Sequence, residues 1–161
     1  MTRHIRIRES HSGLDALVLL LDDLAPRSTD ALWQIAGAGG MHEGIHAMWT
    51  GPEISCPIPA ANLPAQIDLN NLPLENATSY PAEGDIAVVY VPANTWIGQP
   101  PFSFFDIGVF YGRGARLLMP MGWIRASVCG HVVSESLAAV HTACQSIRRR
   151  GACRLSFLQD S

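Results

Sequence analysis

Residues 21–37 read LDDLAPRSTDALWQIAG and contain the end of one strand, an Ala-Pro turn and the beginning of a helix. The run ALVLLL at residues 16–21 has the composition of a strand that is buried on both faces. Pro26 then opens a helix, and the glycine-rich residues 37–40 end it. The polar residues of its first turn are Ser28, Thr29 and Asp30, and its apolar stripe is Leu32, Ile35 and Ala36. This order predicts a strand-turn-helix unit.

Short strands are predicted on both sides of this unit. HIRIR at residues 4–8 alternates with period two and forms a hairpin with the next strand through Ser12-Gly13. Residues 52–81 are rich in Pro and Asn, which predicts turns and extended pieces. Further strands are predicted at residues 85–91, 104–111, 116–118, 125–133 and 154–158, and a second helix from its N-cap Ser134 to Gly151. Many short strands, two helices and no βαβ alternation indicate a mainly β fold, a barrel with helices over its ends.

Length and composition limit the classes of protein that fit. A chain of 161 residues, 48% hydrophobic, predicts a single domain over residues 1–161. The net charge of −3 argues against a nucleic-acid partner. Lysine is absent, which excludes Schiff-base, lysine-anchored pyridoxal phosphate and Walker A chemistry. Charged residues make up 16%, against about 25% in average proteins, which predicts a homo-oligomer.

The cysteines and the apolar runs predict a cytoplasmic protein. Cys56, Cys129, Cys144 and Cys153 show neither C-x-x-C pairs nor the regular spacing of a disulfide scaffold, so we expect free thiols in a reducing compartment. The early apolar run at residues 16–21 is too short to span a bilayer or to serve as a secretory signal. No membrane association is therefore expected.

The stretch HEGIH at residues 42–46 matches the H-E-x-x-H pattern of zinc metalloproteases. That pattern works on a helix, where His at i and i+4 share one face. Here it follows a glycine stretch, carries Gly44 and runs into residues 45–50, which are typical of a strand. On a strand, His42 and His46 would be separated by about 13 Å, at ~3.3 Å per residue. We therefore expect no metal site at this motif.

Several segments carry a resemblance to a known family. LDDLAPRSTDALWQIAG is similar to the strand, Ala-Pro turn and first helix of cyclophilins. The whole chain more closely resembles an uncharacterised bacterial cyclophilin-like family, known as a domain of unknown function (family 3830). The segments that carry this likeness are APRSTDALW, IHAMWTG, ENATSYPAEGDI and CGHVV, which span most of residues 21–133. The resemblance implies a cyclophilin-like closed eight-stranded β-barrel with two α-helices capping it.

The resemblance also bears on prolyl isomerase activity. In cyclophilins the strand after the first helix carries Phe-His-Arg, and the arginine supports the proline amide as it twists. Ile45-His46-Ala47 stands at the matching place, so the arginine is missing. The glycine-rich segment and later aromatic residues that line the cyclophilin proline pocket are not found either. Prolyl cis-trans isomerisation is therefore kept as a less favoured alternative function.

Eight side chains able to carry chemistry lie near predicted strand ends or in loops: His46, Trp49, Glu75, Asn76, Tyr80, Asp85, Tyr111 and His131. An imidazole titrates near neutral pH, and a neighbouring carboxylate can fix its tautomer. We predict the catalytic residues His46, Glu75, His131 and Tyr80 and the substrate-binding residues Trp49, Asn76 and Tyr111. His46 would be the general base or acid, Glu75 its partner or an alternative base, and His131 a second proton carrier. Tyr80 and Asn76 would bind a carbonyl or carboxylate, and Trp49 would form an apolar wall.

Each of these side chains also has a structural interpretation. His46 and His131 lie among apolar neighbours and fit buried imidazoles that bond to backbone. Trp49 fits core packing, and Glu75-Asn76 fits a turn that bonds its own backbone. The sequence alone leaves both interpretations open.

Two functions of different classes therefore remain. The first is a cofactor-independent enzyme acting on a small polar metabolite, an amide, cyclic amide or carboxylate, by His/Glu/Tyr acid-base chemistry. The second is a small-molecule-binding or subunit-interaction module without turnover. No cofactor is expected, because G-x-G-x-x-G between a strand and a helix and G-x-S-x-G are both absent. A hydrogen bond between Glu75 and His46 would favour the enzyme, and histidines bonded to backbone beside a dry apolar cavity would favour the module.

Overall fold

The computed structural model describes residues 2–161 and consists mainly of antiparallel strands. The strands are β1 (His4–Glu9), β2 (Leu14–Leu20), β3 (Met41–His46), β4 (Glu53–Pro59), β5 (Ala77–Thr78), β6 (Asp85–Val91), β7 (Phe104–Phe110), β8 (Leu118–Met119), β9 (Gly122–Trp123), β10 (Ala126–Val132) and β11 (Ala152–Asp160). The helices are α1 (Pro26–Ala38) and α2 (Leu137–Arg150), and short 3₁₀ turns lie at Ala60–Asn62, Leu69–Asn71 and Ser134–Ser136.

Eight of these strands close into a barrel. Their order is β2-β1-β11-β3-β4-β7-β6-β10, and an antiparallel pairing between β10 and β2 joins the two ends of the sheet. The short strand β5 pairs with the beginning of β10, and β8 and β9 form a separate hairpin. The predicted closed eight-stranded barrel with two helices is confirmed.

The core fills the barrel and the space beneath the two helices. Alternate strand residues such as Ile5, Ile7 and Phe157 are at most 1% exposed, as a period of two requires for a strand with one face on the core. The predicted apolar stripe of α1, Leu32, Ile35 and Ala36, is buried against it, and so are Val140, Cys144 and Ile147 of α2. The positions of both helices along the chain and the apolar faces that they bury were therefore predicted correctly.

The connection between β3 and β4 differs from the prediction. HEGIH lies on a strand as expected, but that strand ends at His46, so the prediction that it continues to residue 50 is wrong. The chain turns instead: Ala47 N donates to the carbonyl of Glu53 at 2.9 Å, and Gly51 takes a φ of +90°, which favours glycine. The turn brings Trp49 and Glu53 to the same end of the barrel.

The strand β4 was missed because of its prolines. Its sequence EISCPIP contains Pro57 and Pro59, which disfavour a central strand because proline has no N–H to donate. β4 pairs with β7 along its whole length but with β3 only at Ile54 and Ser55. Both prolines lie beyond the part that pairs with β3, where no ladder bond to that strand is needed.

Smaller differences concern the ends of elements. The second helix begins after a 3₁₀ turn at Ser134–Ser136, so the prediction of Ser134 as its N-cap is wrong. The predicted strand at residues 116–118 is the two-residue strand β8, shifted toward Met119. Among residues 2–161, no helix has the length and apolar character that a membrane crossing needs.

Candidate functional site

One cavity combines buried carboxyl groups with several aromatic side chains, and we call it the main cavity for that reason. It lies on the outer face of the barrel and has a volume of about 330 Å³. Its floor is formed by outward-facing side chains of β4 and β7. One wall is the turn after β3, the other is the loop of residues 92–103, and Met119 of β8 lines a further part. A volume near 330 Å³ is at the lower end of the range for small-molecule sites, about 300–1,000 Å³.

Glu53, the first residue of β4, contributes a buried carboxyl group to this cavity. The residue is 7% exposed, and Thr50 Oγ1 donates to Oε1 at 2.5 Å. Burial, with the nearby negative charge of Asp106 as a second cause, raises the pKa of Glu53 to about 8. Glu53 is therefore largely protonated at neutral pH.

Asp106, in the middle of β7, contributes the second carboxyl group. Ser55 Oγ lies 2.8 and 2.9 Å from its two oxygens and donates to them. Burial raises the pKa of Asp106 to about 6, while the Ser55 hydroxyl opposes the rise. Glu53 and Asp106 also line a second, small cavity of about 30 Å³, so the two groups lie close together beneath the β8–β9 hairpin. The charge of Asp106 adds to the rise in the pKa of Glu53, so the protonation of the two groups is linked.

The described residues that line the main cavity include no arginine, and the chain has no lysine. His46 is the one imidazole among them. The two carboxyl groups are thus held by the hydroxyls of Thr50 and Ser55 rather than by a cation. At neutral pH the pKa values leave the negative charge on Asp106, and no side chain in the described part of the cavity balances it.

Four aromatic side chains line the cavity, together with aliphatic, proline and methionine side chains. Trp49 lies on the wall after β3, Trp96 and Phe102 on the loop wall, and Phe104 on the floor. Trp96 meets Phe104 edge to face, with ring centroids 6.1 Å apart. Gln99 fixes this loop, because its amide oxygen accepts from Thr95 N at 2.8 Å and its nitrogen donates to the carbonyl of Pro92 at 2.7 Å. The loop therefore provides a preformed aromatic wall.

His46 borders the cavity, but the protein already binds both of its ring nitrogens. Nδ1 lies 2.9 Å from the carbonyl of Ala47, and Nε2 lies 2.7 Å from the hydroxyl of Tyr111. A carbonyl can only accept, so Nδ1 carries the hydrogen and Nε2 accepts from Tyr111. Burial lowers the pKa of His46. The neutral imidazole therefore lines the wall of the cavity. It makes one hydrogen bond to backbone, as expected from the interpretation of His46 as a structural residue.

Tyr111 lies behind His46 rather than in the cavity. It is 4% exposed, and its carbonyl accepts from Nδ1 of His141 on α2 at 2.9 Å. The rings of His46 and His141 both meet the Tyr111 ring edge to face, with centroids 5.7 and 5.5 Å away. Tyr111 thus connects the end of β3 to α2, and the structure does not place it where a ligand in the cavity would touch it.

Glu75 is not the partner of His46, so that predicted pairing does not occur. Its carboxylate accepts from the backbone N–H of Arg27 at 3.1 Å and of Ser28 at 2.8 Å. These amides belong to the first turn of α1, whose N-cap Ala25 has no side chain to bind them. A carboxylate is favoured there by the unsatisfied N–H groups and by the helix dipole.

Asn76 and Tyr80 also lie away from the cavity. Asn76 adopts a φ of +48°, and its side-chain nitrogen donates to the carbonyl of Val128 at 3.0 Å, which fixes a turn. Tyr80 is 66% exposed and packs on Trp123 with ring centroids 5.4 Å apart. The structure therefore does not bring these two predicted residues together with His46.

His131 pairs with a different carboxylate. It lies near the end of β10 opposite Asp85 of β6, and its Nδ1 lies 3.1 Å from Oδ1 of Asp85. The other oxygen of Asp85 accepts from Ala82 N at 2.8 Å. The imidazole is partly exposed, and neither residue lines the main cavity. Of the seven predicted site residues, His46 and Trp49 lie at this cavity.

A comparison with protein-family models matches residues 7–159 to the family described as Protein of unknown function (DUF3830). The chain belongs to this family. No curated protein matches the chain. Among solved structures, McbB in complex with tryptophan is similar over 96% of the DUF3830 chain, with a TM-score of 0.59 and 13% identity. The chain spans 44% of the McbB chain, and at this identity the likeness concerns the fold.

A second solved structure is the cyclophilin of Mimivirus. The two sequences are 11% identical, and the TM-score is 0.49. The match covers 98% of the DUF3830 chain and 87% of the Mimivirus chain. The family match confirms the sequence resemblance to the family of unknown function, and the structure independently shows the closed barrel.

Sequence reasoning missed the carboxyl pair of this DUF3830 protein. Glu53 lay in a segment predicted as turns, and Asp106 lay inside the predicted strand FFDIGVF without being noticed. One signal was present: Asp106 is an acid in an otherwise apolar strand, with Gly108 two positions later on the same face. A charge and a glycine on one face of such a strand indicate a close approach by another group.

Proposed function

We propose that the protein is a cofactor-independent enzyme that binds a small, mostly apolar molecule with an N–H group and moves a proton on it with Glu53 and Asp106. The supporting observation is the position of these two carboxyl groups, on adjacent strands and beneath an aromatic cavity without a cationic side chain. Such sites combine an apolar surface that binds with a few polar groups that orient the ligand.

The pair is suited to acid-base chemistry near neutral pH. Glu53, whose pKa is raised by burial to about 8, can donate a proton, and Asp106, whose pKa is raised by burial to about 6, can accept one. Two carboxyl groups whose environments separate their pKa values divide the roles of acid and base in this way. His46, expected from the sequence as the base, has both ring nitrogens bound and acts here as a wall.

The substrate class follows from charge and size. Asp106 is ionised at neutral pH and no cation in the described part of the cavity offsets its charge, so it repels a carboxylate. We therefore withdraw carboxylates from the sequence-based hypothesis and retain amides and cyclic amides. Amines join them, since an N–H donor matches the acceptor oxygens of Asp106. A volume of about 330 Å³ suits a small molecule better than a long peptide. Tryptophan, with which McbB forms a complex, is one aromatic compound worth testing.

Binding without turnover is the second candidate. It is favoured by the hydrogen bonds that Thr50 and Ser55 already make to the carboxyl groups, because these bonds stabilise a fixed binding surface. Prolyl isomerisation has less support, because Ala47 replaces the arginine of Phe-His-Arg and no other arginine lines the described part of the cavity.

The test is a fragment screen by protein-observed NMR of the wild type, Glu53→Gln and Asp106→Asn, with amides, imides, amines, tryptophan and small carboxylates. Glu43→Gln, an exposed glutamate on β3, is the matched control. We expect neutral or cationic N–H compounds to shift resonances of Trp49, Trp96 and Phe104 in the wild type and the control, and to bind both cavity variants more weakly. Deuterium exchange into a carbon-bound position of a compound, lost in both cavity variants, would identify turnover, because N–H hydrogens exchange with water without catalysis. Binding at any other surface would refute the proposal.

Two further expectations from the sequence are proposals as well. The low charge content predicts a homo-oligomer, and exposed apolar side chains such as Met48 and Trp123 agree with one. Sedimentation velocity would test it.

The thiols of the four cysteines are buried and free, as expected for a cytoplasmic protein, and fractionation of cells would test that location.

A further inference from the structure

We infer that the molecule recognised by the main cavity is an organic cation, a small arylalkyl or alkyl ammonium, bound between the two carboxyl groups and the aromatic walls. This inference rests on the proposed function and narrows its substrate class from N–H compounds in general to amines.

The first support is a comparison of two buried glutamates in the same protein. Glu9 is 2% exposed, and its carboxylate accepts from Arg150 at 3.0 Å and from the backbone N–H of Ser12 at 2.7 Å. Glu53 is 7% exposed, and among the described residues its carboxyl group accepts one hydrogen bond, from the hydroxyl of Thr50. A buried carboxylate needs a compensating charge, which Arg150 gives to Glu9, whereas Glu53, without such a partner in the described part of the chain, keeps its proton until a cation enters the site.

The second support is the hydrogen-bonding capacity of Asp106. An ionised carboxylate offers about four lone-pair positions to donors. The hydroxyl of Ser55 donates a single hydrogen and the backbone N–H of Cys56 donates another, so about two of these positions are filled. An ammonium group, with up to three N–H donors and a positive charge, fits the acceptor positions that remain.

The third support is the nature of the walls. Trp49, Trp96, Phe102 and Phe104 surround the same cavity. The faces of aromatic rings attract cations, and tryptophan attracts them most strongly. The rings also exclude water from the apolar part of a ligand, so they select an ammonium that carries an aryl or alkyl group.

The experiment is isothermal titration calorimetry at pH 7 with three probes of similar size and different charge. Phenethylamine is the cation, 2-phenylethanol the neutral analogue and 3-phenylpropionate the anion. A charge-assisted hydrogen bond contributes about 1.5–3 kcal/mol, so we expect the amine to bind about 10- to 100-fold more tightly than the alcohol. The anion should bind more weakly than the alcohol. His46, the other titratable group at the cavity, keeps its hydrogen bonds to Ala47 and Tyr111 and should not contribute.

Variants of Glu53 and Asp106, and a measurement of the protons released on binding, show whether these two carboxyl groups bind the amine. In Asp106→Asn the preference for the amine should fall to within about 2-fold, while the affinity for the alcohol stays as in the wild type, which also shows that the variant is folded. Glu43→Gln should keep the full preference. Titrations in buffers of different ionisation enthalpy should show release of up to about one proton when the amine binds the wild type, and less for Glu53→Gln.

The outcomes separate the two proposals. If the alcohol binds as tightly as the amine, or the anion binds best, the inference is wrong, whereas binding of the alcohol in the cavity leaves the proposed function intact. If the amine preference persists in Asp106→Asn, the cation is bound elsewhere and the inference is also wrong. If none of the three probes binds, the inference is wrong, and the fragment screen decides the proposed function independently.

Discussion

Gly108 of β7 lies directly beneath the carboxyl group of Glu53, so close that a Cβ atom at position 108 would overlap Oε2 of Glu53 and the ring of Phe110. The two strands are neighbours, and Glu53 pairs with Phe110, two residues beyond Gly108. A glycine inside a strand often marks such a close approach. The absence of a side chain at this position lets Glu53 lie flat on the sheet beside Asp106.

Gly108→Ala should therefore destabilise the protein and disturb the cavity. Overpacking costs about 1–3 kcal/mol, and the displaced Glu53 should weaken amine binding. Gly37→Ala is the control, because the added methyl would meet only the end of the flexible Gln159 side chain, and alanine is the better helix former. Urea denaturation of both variants, with calorimetry of phenethylamine, measures the effects. Equal stability of the two variants would show that Gly108 does not hold this position for Glu53.

Glu53→Gln should change how stability depends on pH. Burial raises the pKa of Glu53 from 4.5 to about 8, so between these values the folded protein holds a proton that the unfolded chain has lost. The free energy of unfolding of the wild type should thus fall, by a few kcal/mol, as the pH rises from about 5 to 8. Burial also raises the pKa of Asp106, from 3.8 to about 6. Asp106 therefore lowers the free energy of unfolding in the same way, between about pH 4 and 6.

The glutamine variant removes the Glu53 part of this decline. The denaturation midpoints at pH 6.5 and 8 should converge in Glu53→Gln. The part of the difference between pH 5 and 6.5 that comes from Asp106 should remain, and the exposed control Glu43→Gln should follow the wild type. A wild-type slope that persists in Glu53→Gln would mean that the Glu53 carboxyl is ionised in the folded protein at neutral pH, which also removes it as a proton donor.

The sequence predicted the barrel because local patterns carry most of the information about it. Period-two alternation, the apolar stripe of α1 and the turn residues each reflect a single element, and each was found in the structure. The strand β4 was the exception, since Pro57 and Pro59 suit only a strand that is free of its neighbour on one side. That freedom is a property of pairing, which the local sequence does not contain.

The site was predicted less well because it depends on contacts between distant residues. Glu53 and Asp106 meet because β4 and β7 pair, and Glu75 binds α1 because the chain brings it there 47 residues after Ser28. His46 and Trp49 were located at the cavity because they lie on the short turn next to it. The sequence shows which side chains are able to react from their residue types. Only the pairing of strands shows which of these side chains share a cavity.

Glu75→Ala should lower stability without changing ligand binding. The carboxylate binds two N–H groups in the first turn of α1, and loss of a helix N-terminal partner costs about 1–2 kcal/mol. Glu75→Gln, which keeps an acceptor oxygen but not the charge, should lie between the wild type and alanine. Thermal denaturation and phenethylamine titrations test both points. A loss of binding or turnover with unchanged stability would restore the catalytic role predicted for Glu75.

Tyr111→Phe should show that His46 is held by the protein rather than prepared for catalysis. The change removes the hydroxyl that donates to Nε2 of the half-buried His46 at 2.7 Å, at a cost of about 0.5–1.5 kcal/mol, the net contribution of one hydrogen bond. Tyr80→Phe, at an exposed tyrosine, should have no effect and is the control. Burial lowers the pKa of His46, so its contribution to stability should be present above pH 6.5 and decrease as the pH falls below it.

Nitrogen-15 chemical shifts of the His46 ring test the same arrangement directly. The wild type should show the tautomer with hydrogen on Nδ1, because the carbonyl of Ala47 at 2.9 Å accepts from that nitrogen. In Tyr111→Phe the tautomer should stay the same, while the Nε2 resonance moves because its donor is gone. A wild-type ring with hydrogen on Nε2, or a pKa above 6.5, would contradict this arrangement and would make His46 available again as a proton carrier for the cavity.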